Sequence, residues 1–159
     1  MAQWLQLAAD ERRDLAEFLE TLTDKQWVAP SLCAGWSVRD VVARVLSYEE
    51  IGYLGVAVAM ARAGFRPRRL NQSRLDAYRE RDPGQLIELL RAHLTPSGLT
   101  SGAGGRIGLT DGLIHHQDIR RALGLPRVVP SDRLLVALSY SLRAPVLPSK
   151  QNAAGLRAV

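Results

Sequence analysis

The sequence predicts an all-α fold, a bundle of four main helices with additional short ones, on three observations. Apolar residues recur near the 3.6-residue period in several segments, and capping residues, prolines and glycines separate those segments. No run of residues alternates with the period of two that a half-buried strand requires. With 159 residues, 47% of them hydrophobic, the chain is long enough for one core and one compact domain.

The first helix is expected over residues 3 to 22, where Trp4, Leu5, Leu7, Ala8, Leu15, Phe18, Leu19 and Leu22 form an apolar face interrupted by Asp10 to Asp14. Residues 23 to 37 are a connector, with Pro30 and Gly35 breaking the period and Trp27 and Trp36 as anchors. Ser37 with Asp40 three residues on is a capping-box variant that opens a second helix. That helix is expected to be the longest, residues 38 to 63. Val41, Val42, Val45, Leu46, Ile51, Leu54 and Val58 point inward, and Gly52 and Gly55 permit close packing. Arg44 falls in phase with the apolar positions, where a charge is costly unless paired.

A polar helix follows over residues 68 to 81, and Asp82-Pro83 starts another, with Pro at its first position. Its apolar side is Leu86, Ile87, Leu89, Leu90 and Leu94. Residues 95 to 105, rich in Gly and Ser, read as a flexible loop. Ser131 is expected to cap a last helix, running to about Leu142, with Leu134, Leu135, Ala137 and Leu138 apolar. Residues 146 to 159 are a tail without periodicity beyond a bundle domain of residues 1 to 145.

The segment Thr110 to Leu123, TDGLIHHQDIRRAL, carries the densest chemistry. Asp111 and His115 are i and i+4, so on a helix both side chains leave one face. Gly124 suits a C′ stop, Pro126 forbids much continuation, and Arg120 and Arg121 place cations in the last turn. Gly112, unfavourable in a helix interior, suggests close approach of a neighbour. Two readings of the pair stay open. Asp111 complements the helix N-terminus and His115 is a hydrogen-bonded core histidine, or the two are ligands of a divalent metal that needs a third from elsewhere.

A single cysteine, Cys33, excludes an intrachain disulfide and any multi-cysteine zinc site, which suits a reducing cytoplasm. The longest apolar run, Leu54 to Ala61, falls far short of the roughly 20 residues of a membrane-spanning helix. A net charge of +5 and a pI near 10.0 permit an anionic partner. Lys25 and Lys150 are the only lysines among the 21 basic residues, an arginine bias that also follows from GC-rich coding, so no nucleic-acid function is expected. The run Arg62, Arg66, Arg68, Arg69, Arg74, Arg79 and Arg81 is a solvated face or a docking patch for an acidic substrate; Phe65 and Tyr78 are too few for a base-stacking platform.

Two motifs, SLCAGWSVRDVVARVLSYEE (31 to 50) and LTDGLIHHQDIRRALGLPR (109 to 127), resemble in order and separation the mycothiol-dependent maleylpyruvate isomerases of the DinB-like superfamily. The resemblance spans almost the whole chain. It implies a DinB-like four-helix bundle with a metal site inside one end, one ligand coming from the second helix and two from the site helix. The site-helix carboxylate and histidine fall on Asp111 and His115, with Asp where relatives usually carry Glu. The second-helix histidine falls on Arg44. An arginine has no lone pair for a cation and stays protonated, so zinc or nickel should bind weakly. Arg44 and Asp111 should then face each other as an ion pair replacing the metal; the alternative is Arg44 extending its head group to the surface.

The activity so implied is a thiol-dependent isomerase or transferase. Mycothiol or another low-molecular-weight thiol attacks an electrophilic or acidic substrate, with Arg44 and His115 as catalytic residues and His116 and Arg120 as cofactor-binding ones. His116 points about 100° away from His115, as a pocket residue or a surface histidine. His93 is a candidate replacement ligand. Cys33 has no His or Asp at a telling spacing and reads as a buried, inert thiol more than as a nucleophile. Relatives continue past the equivalent of Gly155 to Arg157, so the tail resembles the start of a truncated C-terminal segment, and a homodimer could cover the surface so exposed. A non-catalytic, metal-free bundle that binds a small ligand or a protein partner is the competing expectation.

Overall fold

The computed structural model describes residues 2–49, 53–144, 149–152 and 154. Its helices are α1 (Ala2–Leu19), α2 (Asp24–Trp27), α3 (Val38–Leu46), α4 (Tyr53–Arg62), α5 (Pro67–Arg79), α6 (Pro83–Ala92), α7 (Arg106–Ala122), α8 (Ser131–Ser141) and α9 (Ser149–Asn152), with a kinked 3₁₀ segment over Gly98–Gly105. Among the described residues the only β pairing is one isolated bridge, Pro30 to Ser37. The fold is all-α. No helix among them is long and apolar enough to cross a membrane.

Four helices close the bundle as a ring in which α1 packs on α7, α7 on α3, α3 on α6 and α6 on α1. Leu15, Phe18 and Leu19 of α1, Val38, Val41, Val42 and Leu46 of α3, Leu86 and Leu90 of α6 and Ile119 of α7 meet in one buried cluster. Trp27 of α2 joins it, so the anchor expected in the connector is in the core. Leu75 and Tyr78 of α5 cover α3. A second cluster, Leu7, Ala8, Leu109, Leu113 and Ala137, ties α8 to α1 and α7.

The start signals act as expected at two helices. Ser37 and Asp40 form a reciprocal capping box on α3, and Asp82 and Gln85 form one on α6 with Pro83 in its first turn. At α8 the expectation fails: the helix starts at Ser131, Pro130 is the flanking residue, and no side chain caps it. Gly124, at φ +68°, stops α7 in the left-handed conformation, and the Leu125 N–H reaches the Arg120 carbonyl at 2.8 Å.

The long second helix predicted over residues 38 to 63 is interrupted. α3 ends at Leu46, and the Ser47 hydroxyl donates to the Arg44 carbonyl, closing a turn. Ile51 and Gly52 lie outside the described residues. In α4, Leu54 is 80% exposed and Val58 43%, so the inward stripe extrapolated from α3 does not carry across the break. The tail, apart from α9 and Ala154, is likewise outside the described residues.

Residues 95 to 105, expected as a flexible loop, instead contain the 3₁₀ segment, docked on a buried carboxylate. Glu49 accepts from Thr100 Oγ1 at 2.6 Å, from the Ser97 N–H at 3.1 Å and from Arg12 Nη2 at 2.5 Å. Arg12 also donates to the His93 carbonyl at the end of α6. Close helix approach falls at Gly108, not at Gly112. A Cβ on Gly108 would lie 2.8 Å from the Thr100 carbonyl oxygen, whereas one on Gly112 would meet Glu11 Cγ at an ordinary 3.8 Å.

Candidate functional site

α7 presents Asp111, His115 and Asp118 at i, i+4 and i+7, one stripe of a helix. α3 presents Arg44 in its last turn toward the same stripe, and the two helices pack on each other. Arg44 Nη2 lies 3.8 Å from Asp111 Oδ1, with the guanidinium over the Tyr48 ring at 4.7 Å. The Arg44 side chain is 19% exposed and that of Asp111 26%. Arg44 is therefore not extended into water; it faces the carboxylate across the helix pair.

His115 is 15% exposed and uses both ring nitrogens. Nε2 lies 3.6 Å from Asp111 Oδ1, and Nδ1 lies 3.2 Å from Asp118 Oδ2. Burial opposes charge on this ring. The hydrogen bond to Asp118, then that to Cys33, then the charge of Asp111 outweigh burial and the repulsion from Arg44, lifting the pKa to about 10. At neutral pH His115 is an imidazolium between two carboxylates. Asp118 is correspondingly an ionised acid: burial raises its pKa, but the His115 and Cys33 hydrogen bonds and the His115 charge bring it below the usual value.

The connector adds a residue that the sequence had not attached to this site. Cys33 Sγ lies 3.2 Å from Asp118 Oδ2 and 3.8 Å from His115 Nδ1. The loop that holds it is braced from within. Ser31 Oγ donates to the Trp36 carbonyl and accepts from the Cys33 N–H, and the Trp36 N–H returns to the Cys33 carbonyl. The Leu32 N–H reaches the Asp118 carbonyl at 3.3 Å, fixing the loop on α7. Asp118 was legible as a further position on the Asp111–His115 stripe. Cys33, more than eighty residues earlier, had no local signal.

His116 and Arg120 lie on the other side of α7. His116 is wholly buried; its Nδ1–H donates to Glu11 Oε1 at 2.9 Å and its Nε2 accepts from Arg120 Nε at 2.8 Å. Burial, with the charges of Arg127 and Arg120, lowers its pKa despite Glu11, so the ring is neutral. Glu11, 1% exposed, is also paired with Arg127 and with Arg133, the latter at 3.2 Å. Arg120 stacks on the Phe18 ring at 3.8 Å. The structure thus brings Arg44, Asp111 and His115 together and puts His116 and Arg120 with Glu11. His93 bonds through Nδ1 to the Leu89 carbonyl at the end of α6 and joins Arg12, not Asp111.

A divalent ion among Arg44, Asp111 and His115 does not fit this arrangement. The position opposite Asp111 is taken by a guanidinium, which offers protons and no lone pair, and its charge repels a cation. Chemically, the Arg44 side can hold an anion, while the Cys33 side gathers a thiol, an imidazole and a carboxylate.

Comparison with known proteins gave one family. The model described as Mycothiol maleylpyruvate isomerase N-terminal domain matches residues 8–95, more than half of the chain. No curated protein and no solved structure matched. The matched span takes in α1 from Ala8 onward, the connector with Cys33, α3 with Arg44, and α6, and it ends before α7. By that match, on an all-α bundle of the expected kind, the chain belongs to the mycothiol maleylpyruvate isomerase N-terminal domain family.

Proposed function

We propose that the chain is a thiol-dependent isomerase or transferase of this family whose divalent-metal site among Arg44, Asp111 and His115 is impaired, Arg44 standing where relatives offer a histidine. One observation carries the proposal: Arg44 Nη2 faces Asp111 Oδ1 at 3.8 Å, with both side chains half-buried. The partner is a low-molecular-weight thiol, mycothiol or another, and the substrate is electrophilic or acidic. The thiol loses its proton and the thiolate adds to an activated double bond. Rotation about the resulting single bond and expulsion of the thiolate leave the isomerised product, and the thiolate then recovers its proton.

Arg44 stabilises the thiolate or a substrate carboxylate electrostatically, with less force than an ion bound directly to sulfur. His115, protonated at neutral pH, holds a proton next to the developing charge. Of the two residues assigned to the cofactor, Arg120 is better supported, because it lines an open groove of about 530 Å³ with Phe18, Leu125 and Arg127, whereas His116 is sealed behind it. The cytoplasm suits a free-thiol partner. A homodimer belongs to the same proposal, supported by exposed Leu134, Leu135 and Leu138 along α8.

The test is calorimetric titration with Zn²⁺ in a Cys33→Ser background, with and without Arg44→His. Restoring the imidazole should raise affinity by at least about tenfold and raise mycothiol-dependent turnover of maleylpyruvate. An unchanged affinity would overturn the role given to Arg44. The ion-pair chain from Arg44 through Asp111 and His115 to Asp118 already balances its own charges, which favours a second reading, a metal-free bundle that binds a small ligand or a protein partner. That reading is selected if neither protein turns over substrate with any thiol.

A further inference from the structure

We propose that Cys33, His115 and Asp118 form a divalent-cation site of the zinc class, built on the ring nitrogen of His115 that faces away from Asp111. The three ligand atoms lie within 4.8 Å of one another: Sγ to Oδ2 is 3.2 Å, Nδ1 to Oδ2 is 3.2 Å and Sγ to Nδ1 is 3.8 Å. Tetrahedral zinc, with bonds of about 2.0 to 2.3 Å, holds S, N and O ligands about 3.4 to 3.6 Å apart. Each observed separation is within a few tenths of an ångström of that spacing, so an ion could enter with side-chain adjustment alone. Thiolate, imidazole and carboxylate together are a borderline-soft set that suits zinc and excludes magnesium or calcium.

Charge balance supports the same conclusion. Without an ion the cluster is a thiol, an imidazolium and a carboxylate, formally neutral, with the Cys33 S–H and the His115 Nδ1–H both directed at Asp118 Oδ2. Entry of M²⁺ expels those two protons and leaves thiolate, neutral imidazole and carboxylate around a double charge, again neutral. His115 keeps its Nε2 proton, 3.6 Å from Asp111 Oδ1, so Asp111 becomes the outer carboxylate that orients a ligating histidine, with Arg44 behind it. The arginine blocks the Asp111 side of the imidazole and leaves the Nδ1 side to a cation. Three protein ligands leave one tetrahedral position open to water or a small ligand, and the 23% exposure of Asp118 gives that position access to solvent. The brace on the connector, Ser31 to Trp36 and Leu32 to Asp118, holds Cys33 in reach before any ion binds.

The experiment is titration of the EDTA-treated, reduced full chain with Co²⁺ and Zn²⁺, followed by absorption and by alkylation of its single cysteine. Wild-type protein should take up one equivalent of Co²⁺, with tetrahedral d–d bands and a thiolate-to-cobalt charge-transfer band, and Zn²⁺ should displace it. Cys33→Ser and Asp118→Asn should each weaken binding by about a hundredfold or more, with the charge-transfer band lost in the first. Asp111→Asn, which leaves the three ligands in place, should weaken it by about tenfold. In wild-type protein, where no variant can misfold, Zn²⁺ should slow iodoacetamide alkylation of Cys33 at least tenfold. Failure to bind either metal at about 100 µM, or binding without the thiolate band, would overturn the proposal. Binding that survives Cys33→Ser but not Asp111→Asn would return the ion to the Asp111 side. That result overturns the Cys33 site, whereas the role of Arg44 stands or falls on Arg44→His in the Cys33→Ser background, so the two proposals fail on different variants.

Discussion

Replacing Glu11 by glutamine preserves its shape and removes its charge, at a position where three positive or proton-donating groups converge. Glu11 is 1% exposed and accepts from His116 at 2.9 Å, from Arg133 at 3.2 Å and from Arg127. In Glu11→Gln an amide NH₂ must face one of these donors, and two guanidiniums, 11% and 12% exposed, each lose a buried counter-charge. Breaking a buried ion pair by removing one partner costs about 3 to 5 kcal/mol. The lower end applies here, because Asp14, 38% exposed, still holds Arg133 at 2.6 Å and Arg127 at 3.6 Å. For a domain of this size each kcal/mol moves Tm by about 2 to 4 °C, so a fall of about 6 to 12 °C is expected. Thermal and urea unfolding followed by circular dichroism measure it, with Asp14→Asn as the exposed control, expected to cost no more than about 1 kcal/mol. A loss for Glu11→Gln no larger than for the control would refute the view that this buried carboxylate fastens α1 to α7 and α8.

Two further outcomes follow from other parts of the structure. In EDTA-treated protein the folded His115 pKa, about 10, lies above the unfolded value near 6.5. The contribution of His115 is thus fully present below pH 6.5 and is lost as pH rises through 10; unfolding midpoints should fall across that window, and the fall should largely vanish in His115→Gln. The glycines of α7 should respond with opposite signs. Gly108→Ala should destabilise by about 1 to 3 kcal/mol, because its Cβ would meet the Thr100 carbonyl oxygen at 2.8 Å, while Gly112→Ala should stabilise by about 0.5 to 1 kcal/mol through helix propensity; chemical denaturation of both variants decides.

The helices that could be read from periodicity and caps are those whose signals are local. Ser37 with Asp40, Asp82 with Pro83, and Gly124 each act within one turn of chain, and each acts as read. The failures are places where a distant partner decides. Glu11 and Arg12 looked like an interruption of the α1 stripe, yet they fall between Ala8 and Leu15 on its inner face, and each is buried against partners from other segments. The Gly-rich stretch after Thr95 looked flexible because its anchor, Glu49, lies nearly fifty residues earlier. Nothing near Cys33 in the sequence pointed to His115 and Asp118 for the same reason. Leu54 and Val58 were misassigned because a period fitted to α3 was extended through a turn that resets it.

The adjacent histidines of α7 show how the helix divides its work. About 100° apart on one helix, they cannot share a compact site, and each is served by a different set of neighbours. His116 has no exposure, is neutral, and has both ring nitrogens filled by Glu11 and Arg120, so it offers a ligand neither a lone pair nor a route in. His115 is charged, only 15% exposed, and stands between two carboxylates with a cysteine on one side and an arginine on the other. In the proposed cation site the proton at Nδ1 is exchanged for a cation while the proton at Nε2 keeps its carboxylate. The proposed chemistry on this helix therefore falls on the Asp111–His115–Asp118 stripe, while the packed side with Glu11 and His116 joins α7 to α1.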